Sequence, residues 1–321
     1  MPKSACITGC TGQDGSFLAE LLLAKGYTVF GLVRRLSSPN ITNIKHIIDQ
    51  IHLLDGDMTD QTSIITALKE SEPDEIYNLA AQSFVQTSFR QPVLTADVNG
   101  LGVVRLLEAA KEVVPDARIY QASTSELFGL TKETPQTEHT PFHPRSPYGV
   151  AKLFAYWACA NYREAYGVHV SNGILFNHES ERRGLEFLTR KVTHGVAMIA
   201  RGKATHIELG NLDPKRDWGY APEYVEAMWR MLQQPTPDDY VIGTGESHTV
   251  REFVELSFRE AGIGNWEKHV RSDQKHIRPA EVHTLCADPR KAKRVLGWEA
   301  RTRLPDLVKI MVTADLERVS R

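Results

Sequence analysis

A tyrosine and a lysine in the middle of the sequence have a spacing that suits proton transfer. Pro147 fits the first turn of a helix and disfavours the α conformation for Ser146, so we predict a helix that begins here and runs toward Tyr166. In that helix Tyr148 and Lys152 are an i, i+4 pair, about 5–6 Å apart at Cβ. A nearby ammonium group can lower the pKa of a phenol, and such a phenol can accept a proton from an alcohol. Ordinary amphipathic helices also carry this pair, so the motif needs support from elsewhere in the chain.

A second group of chemically capable side chains follows a predicted strand upstream. Residues 118–123 have the pattern of a strand, and Thr124, Ser125 and Glu126 come directly after it. In parallel α/β sheets, sites form beyond the carboxyl ends of the strands. Thr124 can hydrogen-bond to a substrate hydroxyl, and Glu126 can accept and return a proton. A capping loop would have a similar composition, but the position shortly before the tyrosine–lysine pair favours a catalytic group.

The elements that would position these groups begin at the N-terminus. Ser4–Thr8 is predicted to be a buried strand, and the turn that follows has glycines at positions 9, 12 and 15 before an apolar helical pattern. Glycines allow a tight turn and close approach of the backbone, and a helix N-terminus offers free N–H groups to a pyrophosphate. Strand, glycine-rich turn and helix in this order predict a dinucleotide site.

The residues after the second predicted strand, 28–33, indicate which dinucleotide is bound. Folds that bind NAD place an acid here to contact the ribose hydroxyls. This chain has Arg34, Arg35, Ser37 and Ser38 instead. Guanidinium groups form charge-assisted, bidentate hydrogen bonds with a phosphate. A solvated basic turn is the alternative, but the position one βα unit after the glycine turn favours NADP over NAD.

Strand and helix patterns alternate through the first half of the chain. Strands are predicted at 52–58 and 75–83, and helices at 60–68 and 95–113. This alternation predicts an α/β fold with a Rossmann-type doubly wound parallel sheet. Asp57, near the end of the third strand, is placed to accept a hydrogen bond from an adenine amino group.

The alternation loosens after residue 175. Helices are predicted at 189–200, 223–233 and 250–261, and strands at 207–210 and 239–243. We therefore divide the chain into a cofactor-binding domain, 1–175, to which later segments return, and a mainly separate, smaller C-terminal α/β domain, 176–321.

Composition excludes several other classes of protein. Hydrophobic residues make up 41% of the chain, charged residues 24%, and the net charge is −2, so no basic field favours nucleic acid. No apolar run approaches the roughly 20 residues that a membrane span needs. Cys6, Cys10, Cys159 and Cys286 lack metal-ligand spacing, so no metal site is expected. Free thiols and a strand that begins at once, without room for a signal peptide, predict a cytoplasmic protein.

Several stretches together resemble the extended short-chain dehydrogenase/reductase superfamily of enzymes that modify sugar nucleotides. The glycine turn and the Tyr-x-x-x-Lys motif mark only the superfamily. The stretches YQASTSELFG (120–129), GILFNHES (173–180), RDWG (216–219) and RPAEV (278–282) are more specific. Together with the glycine turn near the N-terminus, the matching stretches span nearly the whole chain. Their combination resembles the GDP-mannose 4,6-dehydratase family.

That resemblance implies an internal redox reaction on a nucleotide sugar. GDP-mannose would become GDP-4-keto-6-deoxymannose, with a hydride moved from C4 to C6 through bound NADP and with loss of water. Tyr148 would take the proton of the C4 hydroxyl, and Glu126 would remove the C5 proton. Thr124 would position the C4 oxygen, and Lys152 would hold the nicotinamide ribose and tune Tyr148. The later segments of the chain would form the domain that holds the sugar nucleotide.

The resemblance also assigns binding residues. Positions that match cofactor contacts are Gly9, Thr11, Gly12, Gln13, Asp14, Arg34, Arg35, Ser37, Asp57, Met58, Leu79, Ala80, Ala81, Ser83, Tyr148, Lys152, His178 and Arg183. Positions that match substrate contacts are Ser83, Thr124, Ser125, Glu126, Asn177, Lys191, Arg216, Arg278 and Glu281. Helices 95–113 and 153–166 correspond to an interface through which relatives dimerise, so a homodimer or homotetramer is expected.

Three positions depart from the family pattern. Leu36 interrupts what is often an unbroken polar Arg-Arg-Ser-Ser run. Leu94 stands where many relatives have a tyrosine that contacts the cofactor. Glu181 stands where proline is usual, which predicts a looser loop before Arg182 and Arg183.

Three alternative functions remain open from the sequence. They are a related GDP-sugar dehydratase, a reductase or epimerase on a GDP-sugar, such as a GDP-4-keto-6-deoxymannose reductase, and an inactive NADP-binding scaffold or sensor. A simple reductase needs no base at C5, so Glu126 argues against it. The complete set of Thr124, Glu126, Tyr148 and Lys152 argues against a scaffold.

Overall fold

The centre of the protein is a parallel sheet of seven strands. The structure is a computed structural model that describes residues 2–38, 40–273 and 280–320. The strand order is β11-β6-β5-β4-β1-β2-β3, and all six neighbouring pairs run parallel. The order 3-2-1-4-5-6 within it is that of a doubly wound dinucleotide-binding fold, so the predicted fold class is confirmed.

The strands are β1 (Ser4–Thr8), β2 (Thr28–Val33), β3 (His52–Asp55), β4 (Glu75–Asn78), β5 (Arg118–Ala122), β6 (Val170–Leu175), β7 (Asn177–Glu179), β8 (Ile207–Leu209), β9 (Lys215–Arg216), β10 (Trp218–Tyr220), β11 (Tyr240–Ile242), β12 (His248–Thr249) and β13 (Val270–Ser272). The α-helices are α1 (Gln13–Ala24), α2 (Gln61–Ser71), α3 (Val85–Arg90), α4 (Pro92–Ala96), α5 (Gly102–Val113), α6 (Pro147–Tyr166), α7 (Leu188–Ala200), α8 (Ala221–Leu232), α9 (Val250–Glu260) and α10 (Leu304–Ser320). Short 3₁₀ segments lie at Lys45–Gln50, Ser125–Leu127 and Trp266–His269, and π-helical turns at Asp97–Leu101 and Ala292–Leu296.

Helices cover both faces of the sheet, which is why its central strands are apolar on both sides. Successive side chains of a strand point to opposite faces. In β4, Tyr77 packs into the core formed with α1 and α8, and Ile76 packs into the core formed with α2, α5 and α6. Both side chains are fully buried. In the part of the chain that the structure describes, no helix combines the length and apolar character needed to cross a bilayer.

The second half of the chain contributes to both lobes of the molecule. Strand β11 pairs with β6 at the edge of the main sheet, and α8 packs on α1. A third core joins α7, α9 and α10 with β8 and β10 in a smaller lobe. The domain boundary near residue 175 stays a prediction, and segments beyond it do return to the main sheet.

The helix predicted at 95–113 is interrupted. Helix α4 passes through the π-helical turn Asp97–Leu101 before α5 begins. The buried Asn99 lies in that turn, where its side-chain oxygen accepts from the Gln82 backbone N–H (2.8 Å) and its amide donates to the Gln82 carbonyl (2.9 Å). π-helical turns are rare and often lie at functional sites. Here the turn presents Asn99 to the segment that follows β4.

The glycine turn after β1 depends on close backbone packing. Gly9 has φ +71°, a conformation that favours glycine. A Cβ on Gly15, in the first turn of α1, would lie 2.4 Å from the Gly9 carbonyl oxygen and 2.6 Å from Cys10 Cα. The missing side chain at Gly15 is therefore what lets α1 lie against the turn.

We expect Gly15→Ala to destabilise the protein by roughly 1–3 kcal/mol, because overpacking against backbone atoms forces the helix to move. Denaturant unfolding of the two proteins measures the loss. Gly264→Ala is the matched control, since a Cβ there meets no atom within 4 Å. Equal stability of Gly15→Ala and the parent protein would contradict this account of the turn.

Candidate active site

A large cleft opens beyond the carboxyl ends of the central strands. Its volume is about 1600 Å³, and residues from both halves of the chain line it. Every predicted site residue lines the cleft except two. Ser37 is exposed and lies outside the lining, and Arg278 lies outside the described residues.

Three segments converge at the predicted catalytic group. Ser146 caps α6 by accepting from the Gly149 N–H (3.0 Å), and Pro147 occupies the first turn, so the predicted helix start is confirmed. Lys152 Nζ donates to the Ala122 carbonyl at the end of β5 (2.7 Å) and lies 5.9 Å from the centre of the Tyr148 ring.

Thr124 links the end of β5 to the predicted proton acceptors. Its hydroxyl oxygen accepts from the Glu126 N–H (3.2 Å), which caps the short 3₁₀ segment, and it also hydrogen-bonds to Tyr148. Thr124, Glu126, Tyr148 and Lys152 are all buried. The structure therefore brings together the four residues predicted from separate motifs.

Burial dominates the electrostatics of this group. It raises the pKa of Tyr148 to about 12, although the Thr124 hydrogen bond lowers it, and the Glu126 charge adds to the increase. Burial also lowers the pKa of Lys152 to about 8. The prediction that the lysine leaves Tyr148 with a lowered pKa is therefore wrong for the protein by itself. A phenol that acts as a base here needs further positive charge beside it.

The glycine turn is connected to β7 by a partly buried ion pair, Asp14 and His178. His178 Nε2 lies 2.7 Å from Asp14 Oδ2, its Nδ1 lies 2.8 Å from the Phe176 carbonyl, and its ring stacks on Tyr224. Gln13 donates to Asp14 Oδ1 (2.9 Å) and to the His178 carbonyl (3.1 Å). Burial opposes both charges, yet their attraction holds the pKa of Asp14 below its ordinary value and that of His178 above it.

The loop after β7 is anchored on α1. Arg182 donates to Ser16 Oγ (3.0 Å), pairs with Glu20 (2.7 Å) and lies 3.9 Å from the centre of the Phe17 ring. The Glu181 carbonyl accepts from the side chains of two further arginines, Arg190 and Arg318. These contacts hold the backbone at Glu181, and the looser loop expected there stays a prediction.

The polar groups at the bottom of the cleft fit a dinucleotide. Gly12 caps α1 without a side chain, so the first amides of that helix face the cleft with room for a phosphate. Ser123 is buried, and its hydroxyl has no hydrogen-bond partner among the described residues. The exposed Arg34 and Arg35 line the cleft one βα unit away, where a ribose phosphate would lie.

The Asp57 carboxylate at this rim is already engaged. Its Oδ1 accepts from the Thr59 N–H (2.9 Å) and the Thr59 hydroxyl (2.8 Å), which fixes the carboxylate beside Met58.

Within the residues that the structure describes, no cluster of three or more His, Cys, Asp or Glu side chains is arranged to hold a metal ion.

Three of the predicted substrate residues, Asn177, Lys191 and Arg216, line the cleft from β7, α7 and β9. Arg216 is buried, donates to the Lys215 carbonyl (2.9 Å) and lies 4.0 Å from Glu281. The neighbouring Asp217 is fully buried and accepts from the N–H groups of Thr244, Gly245 and Ala287, which fixes the backbone beside Arg216. Burial lowers the pKa of Lys191.

Sequence reasoning missed several residues of the cleft. Arg90 and Phe187 line it, and Asn99 supports it from the π-helical turn. The Asn99-Gly100 pair inside an otherwise helical pattern was a usable signal, because both residues are poor helix formers. Phe187 has no comparable local signal.

A parallel sheet of this order, a glycine turn before its first helix and a buried Thr/Tyr/Lys group define an extended short-chain dehydrogenase/reductase. Within that class the chain belongs to the GDP-mannose 4,6-dehydratase family, because residues 6–311 match the family model described as GDP-mannose 4,6 dehydratase.

Relatives with that name are similar over nearly the whole chain. GDP-mannose 4,6 dehydratase 2 of Caenorhabditis elegans is 52% identical and covers 98% of this chain and 89% of its own. GDP-mannose 4,6 dehydratase of Homo sapiens is 51% identical over 98% of this chain and 91% of its own. The solved structure of a UDP-glucose 4-epimerase from Thermotoga maritima, with UDP-glucose, has a TM-score of 0.86 and 25% identity over 99% of both chains.

The Asp14–His178 pair makes a pH-dependent contribution to stability. The pKa of His178 is raised, so this contribution is fully present below the unfolded pKa of about 6.5 and is lost as pH rises through the folded pKa. The pKa of Asp14 is lowered, so its contribution is lost only in acid, as pH falls through that folded pKa. We therefore expect His178→Gln to destabilise the protein more at pH 6 than at pH 9.

Denaturant unfolding at the two pH values measures this difference. Stacking on Tyr224 is independent of protonation to a first approximation, so it contributes equally at both pH values. A loss of stability that is the same at pH 6 and pH 9 would contradict a charged His178.

Proposed function

We propose that this protein is a GDP-mannose 4,6-dehydratase that converts GDP-mannose to GDP-4-keto-6-deoxymannose and uses NADP as its cofactor. The observation that carries the proposal is the buried carboxylate of Glu126 beside Thr124 and Tyr148, in a chain about half identical to enzymes of that name. Oxidation and reduction at C4 alone need no carboxylate at this position, whereas elimination of water needs one to accept the C5 proton.

Each catalytic residue has a distinct task. Bound NADP would supply the redox chemistry, as a hydride acceptor for C4 and, once reduced, a hydride donor for C6. Tyr148 accepts the proton of the C4 hydroxyl, and Thr124 holds the C4 oxygen by a hydrogen bond. Lys152, fixed by the Ala122 carbonyl, keeps its remaining N–H groups for the cofactor ribose and adds positive charge near the phenol.

Glu126 carries out the elimination. The C4 ketone acidifies the C5 proton, and the Glu126 carboxylate removes it. The same group then protonates the C6 hydroxyl, which leaves as water, and a C5–C6 double bond forms. Hydride addition at C6 and protonation of C5 complete the product. The new C5 proton comes from solvent, and it balances the C4 hydroxyl proton that Tyr148 releases to solvent. The net reaction removes one water from the sugar and consumes no reductant.

We assign the cofactor to the strand-end side of the cleft. Arg34 and Arg35 bind the 2′-phosphate, which favours NADP over NAD, and the amides of the glycine turn from Gly9 to Asp14 bind the pyrophosphate. Arg183 and His178 also bind the cofactor on this side of the cleft.

The nucleotide sugar lies on the opposite side of the cleft. There Asn177, Lys191, Arg216 and Glu281 bind the GDP part. Arginine and lysine suit its diphosphate by charge.

We also propose that the enzyme works in the cytoplasm. Its four cysteines are unpaired, and Cys6, Cys10 and Cys159 are buried, as expected for a chain kept in a reducing compartment.

The sharpest test of the dehydratase is Glu126→Gln, which keeps the shape of the side chain but cannot accept the C5 proton. In a single turnover with NADP⁺ and GDP-mannose, we expect reduced nicotinamide absorbance to appear and persist. Product should form about 10²–10⁴ times more slowly, the usual size of a general-base effect. Tyr148→Phe is the matched control, because it blocks the earlier step and should give no reduced cofactor.

Two outcomes would contradict the proposal. Normal product formation by Glu126→Gln would remove the carboxylate from the elimination step. Turnover by the parent protein only with stoichiometric NADPH would favour the reductase instead.

The protein also exposes an apolar helix face, which consists of Val93, Leu101, Val150, Phe154 and Trp157. Val93 is 81% exposed, and Val150, Phe154 and Trp157, at i, i+4 and i+7 on α6, are 56%, 49% and 58% exposed. Phe154 lies over Gly100, so the two helical segments form one continuous surface. A patch of this kind usually marks an interface between proteins. We propose that two copies pair through it as a four-helix dimer.

We expect Trp157→Glu to weaken this dimer, because a desolvated carboxylate would lie at the centre of the apolar helix face. Sedimentation at micromolar concentration should show a shift from dimer toward monomer. Leu130→Glu is the control, since Leu130 is 43% exposed but lies outside this face. A mass equal to that of the parent dimer would contradict the proposed interface.

A further inference from the structure

A buried carboxylate near the end of the chain organises a loop of the cleft without lining the cleft itself. Asp315 of α10 is fully buried. Its two oxygens accept from Arg190 Nε, both at 2.9 Å, and Arg190 Nη2 lies 2.7 Å from Oδ1. The Thr193 hydroxyl donates to Oδ2 (2.7 Å), and Arg318 Nη1 lies 3.3 Å from Oδ1. The negative charge of Asp315 is therefore compensated by arginine, and both of its oxygens accept hydrogen bonds.

Arg190 connects Asp315 to the loop after β7. With one side of its guanidinium on Asp315, its Nη1 donates to the carbonyls of Glu181 and Arg183, both at 2.9 Å. Arg318, from the same helix as Asp315, also donates to the Glu181 carbonyl (2.6 Å). The backbone on both sides of Arg182 is thus held by α7 and α10.

The side chain of Arg183 extends from this held backbone toward the reacting groups. It lies 3.6 Å from the centre of the Phe187 ring and 3.1 Å from Glu179, and it lines the cleft. Its charge reaches both sides of the cofactor region, since it partly opposes the burial that raises the pKa of Tyr148 and adds to the His178 attraction that lowers the pKa of Asp14. A shift of its backbone by even a fraction of an ångström would change these contacts.

We propose that Asp315 is a positioning residue that acts through Arg190 on the backbone of Arg183 and so fixes the Arg183 guanidinium for the cofactor. This inference rests on the proposed function, which assigns Arg183 to NADP. The C-terminal helix is then part of the support of the active site, although no atom of Asp315 is required to touch a ligand.

The physical reason is the cost of a buried charge without its partner. Asn at position 315 keeps the shape of the side chain but has one acceptor oxygen and no charge. Arg190, itself buried, would then lack a compensating anion and would move toward water or rearrange. Either movement withdraws Nη1 from the two carbonyls.

The experiment compares Asp315→Asn with Glu317→Gln, which makes the same chemical change at an exposed position of α10. Hydrogen exchange in the protein without ligands reports the backbone of residues 180–187, and calorimetry reports NADP affinity. We expect Asp315→Asn to speed exchange in this segment and to weaken NADP binding roughly tenfold, the loss expected for a displaced charged hydrogen-bond donor. Glu317→Gln should match the parent protein in both measurements.

A double-mutant cycle identifies the route of the effect. Arg183→Met alone should weaken NADP binding, and adding Asp315→Asn to it should change the affinity less than about twofold, because residues that act through one another are not additive. Arg190→Lys keeps a cation beside Asp315 but loses the fork that reaches both carbonyls. It should therefore weaken NADP binding in the same way, and it replaces Asp315→Asn if that variant does not fold.

The outcomes distinguish a failure of the positioning role from a failure of the proposed function. Weaker NADP binding in Arg183→Met, with normal binding in Asp315→Asn or in Arg190→Lys, overturns the positioning role and leaves the proposed function intact. Fully additive effects of Arg183→Met and Asp315→Asn overturn it as well, since they would mean that Asp315 supports stability only. Normal NADP affinity in Arg183→Met contradicts the cofactor role of Arg183 itself, and the inference falls with it.

Discussion

Burial of an ionisable pair at the end of β5 is the constraint on which the rest of the structure depends. Tyr148 and Lys152 are both removed from water, and each resists its charged form, with pKa values of about 12 and 8. A buried ammonium is tolerated only with hydrogen bonds, and the Ala122 carbonyl supplies one. The end of β5, the start of α6 and the Ser146 cap must therefore keep their relative positions. The seven-stranded sheet provides that rigidity.

The two sides of the cleft are joined by charged side chains rather than by apolar packing alone. Asp14 with His178, and Arg182 with Glu20, connect the first helix to the loop after β7. Arg190 and Asp315 connect that loop to the end of the chain. Arg190 and Asp315 are a buried pair, which adds little net stability but is costly to break. Their effect is to fix one arrangement of side chains around a cofactor, which suits a site that must control several proton transfers.

The sequence was sufficient wherever the signal was local. Pro147 after Ser146 placed the start of α6, and the glycines between β1 and α1 placed the turn, because both depend on backbone preferences of a few residues. Contacts between distant residues had no such signal. Arg190 and Asp315 are 125 residues apart, and nothing in either segment indicates the other. The sequence also could not predict that the pKa of Tyr148 is raised, since this shift depends on how completely the assembled fold excludes water.

The same electrostatics give a reason for the order of the proposed reaction. Burial and the charge of Glu126 both raise the pKa of Tyr148, so the neutral phenol is the favoured form of this residue. In the proposed reaction, oxidation at C4 leaves the hydroxyl proton on Tyr148 and so produces that form. The C5 proton becomes acidic only when the C4 ketone is present, so Glu126 acts after Tyr148. The Glu126 carboxylate then accepts the C5 proton beside a neutral phenol, without a second negative charge on Tyr148.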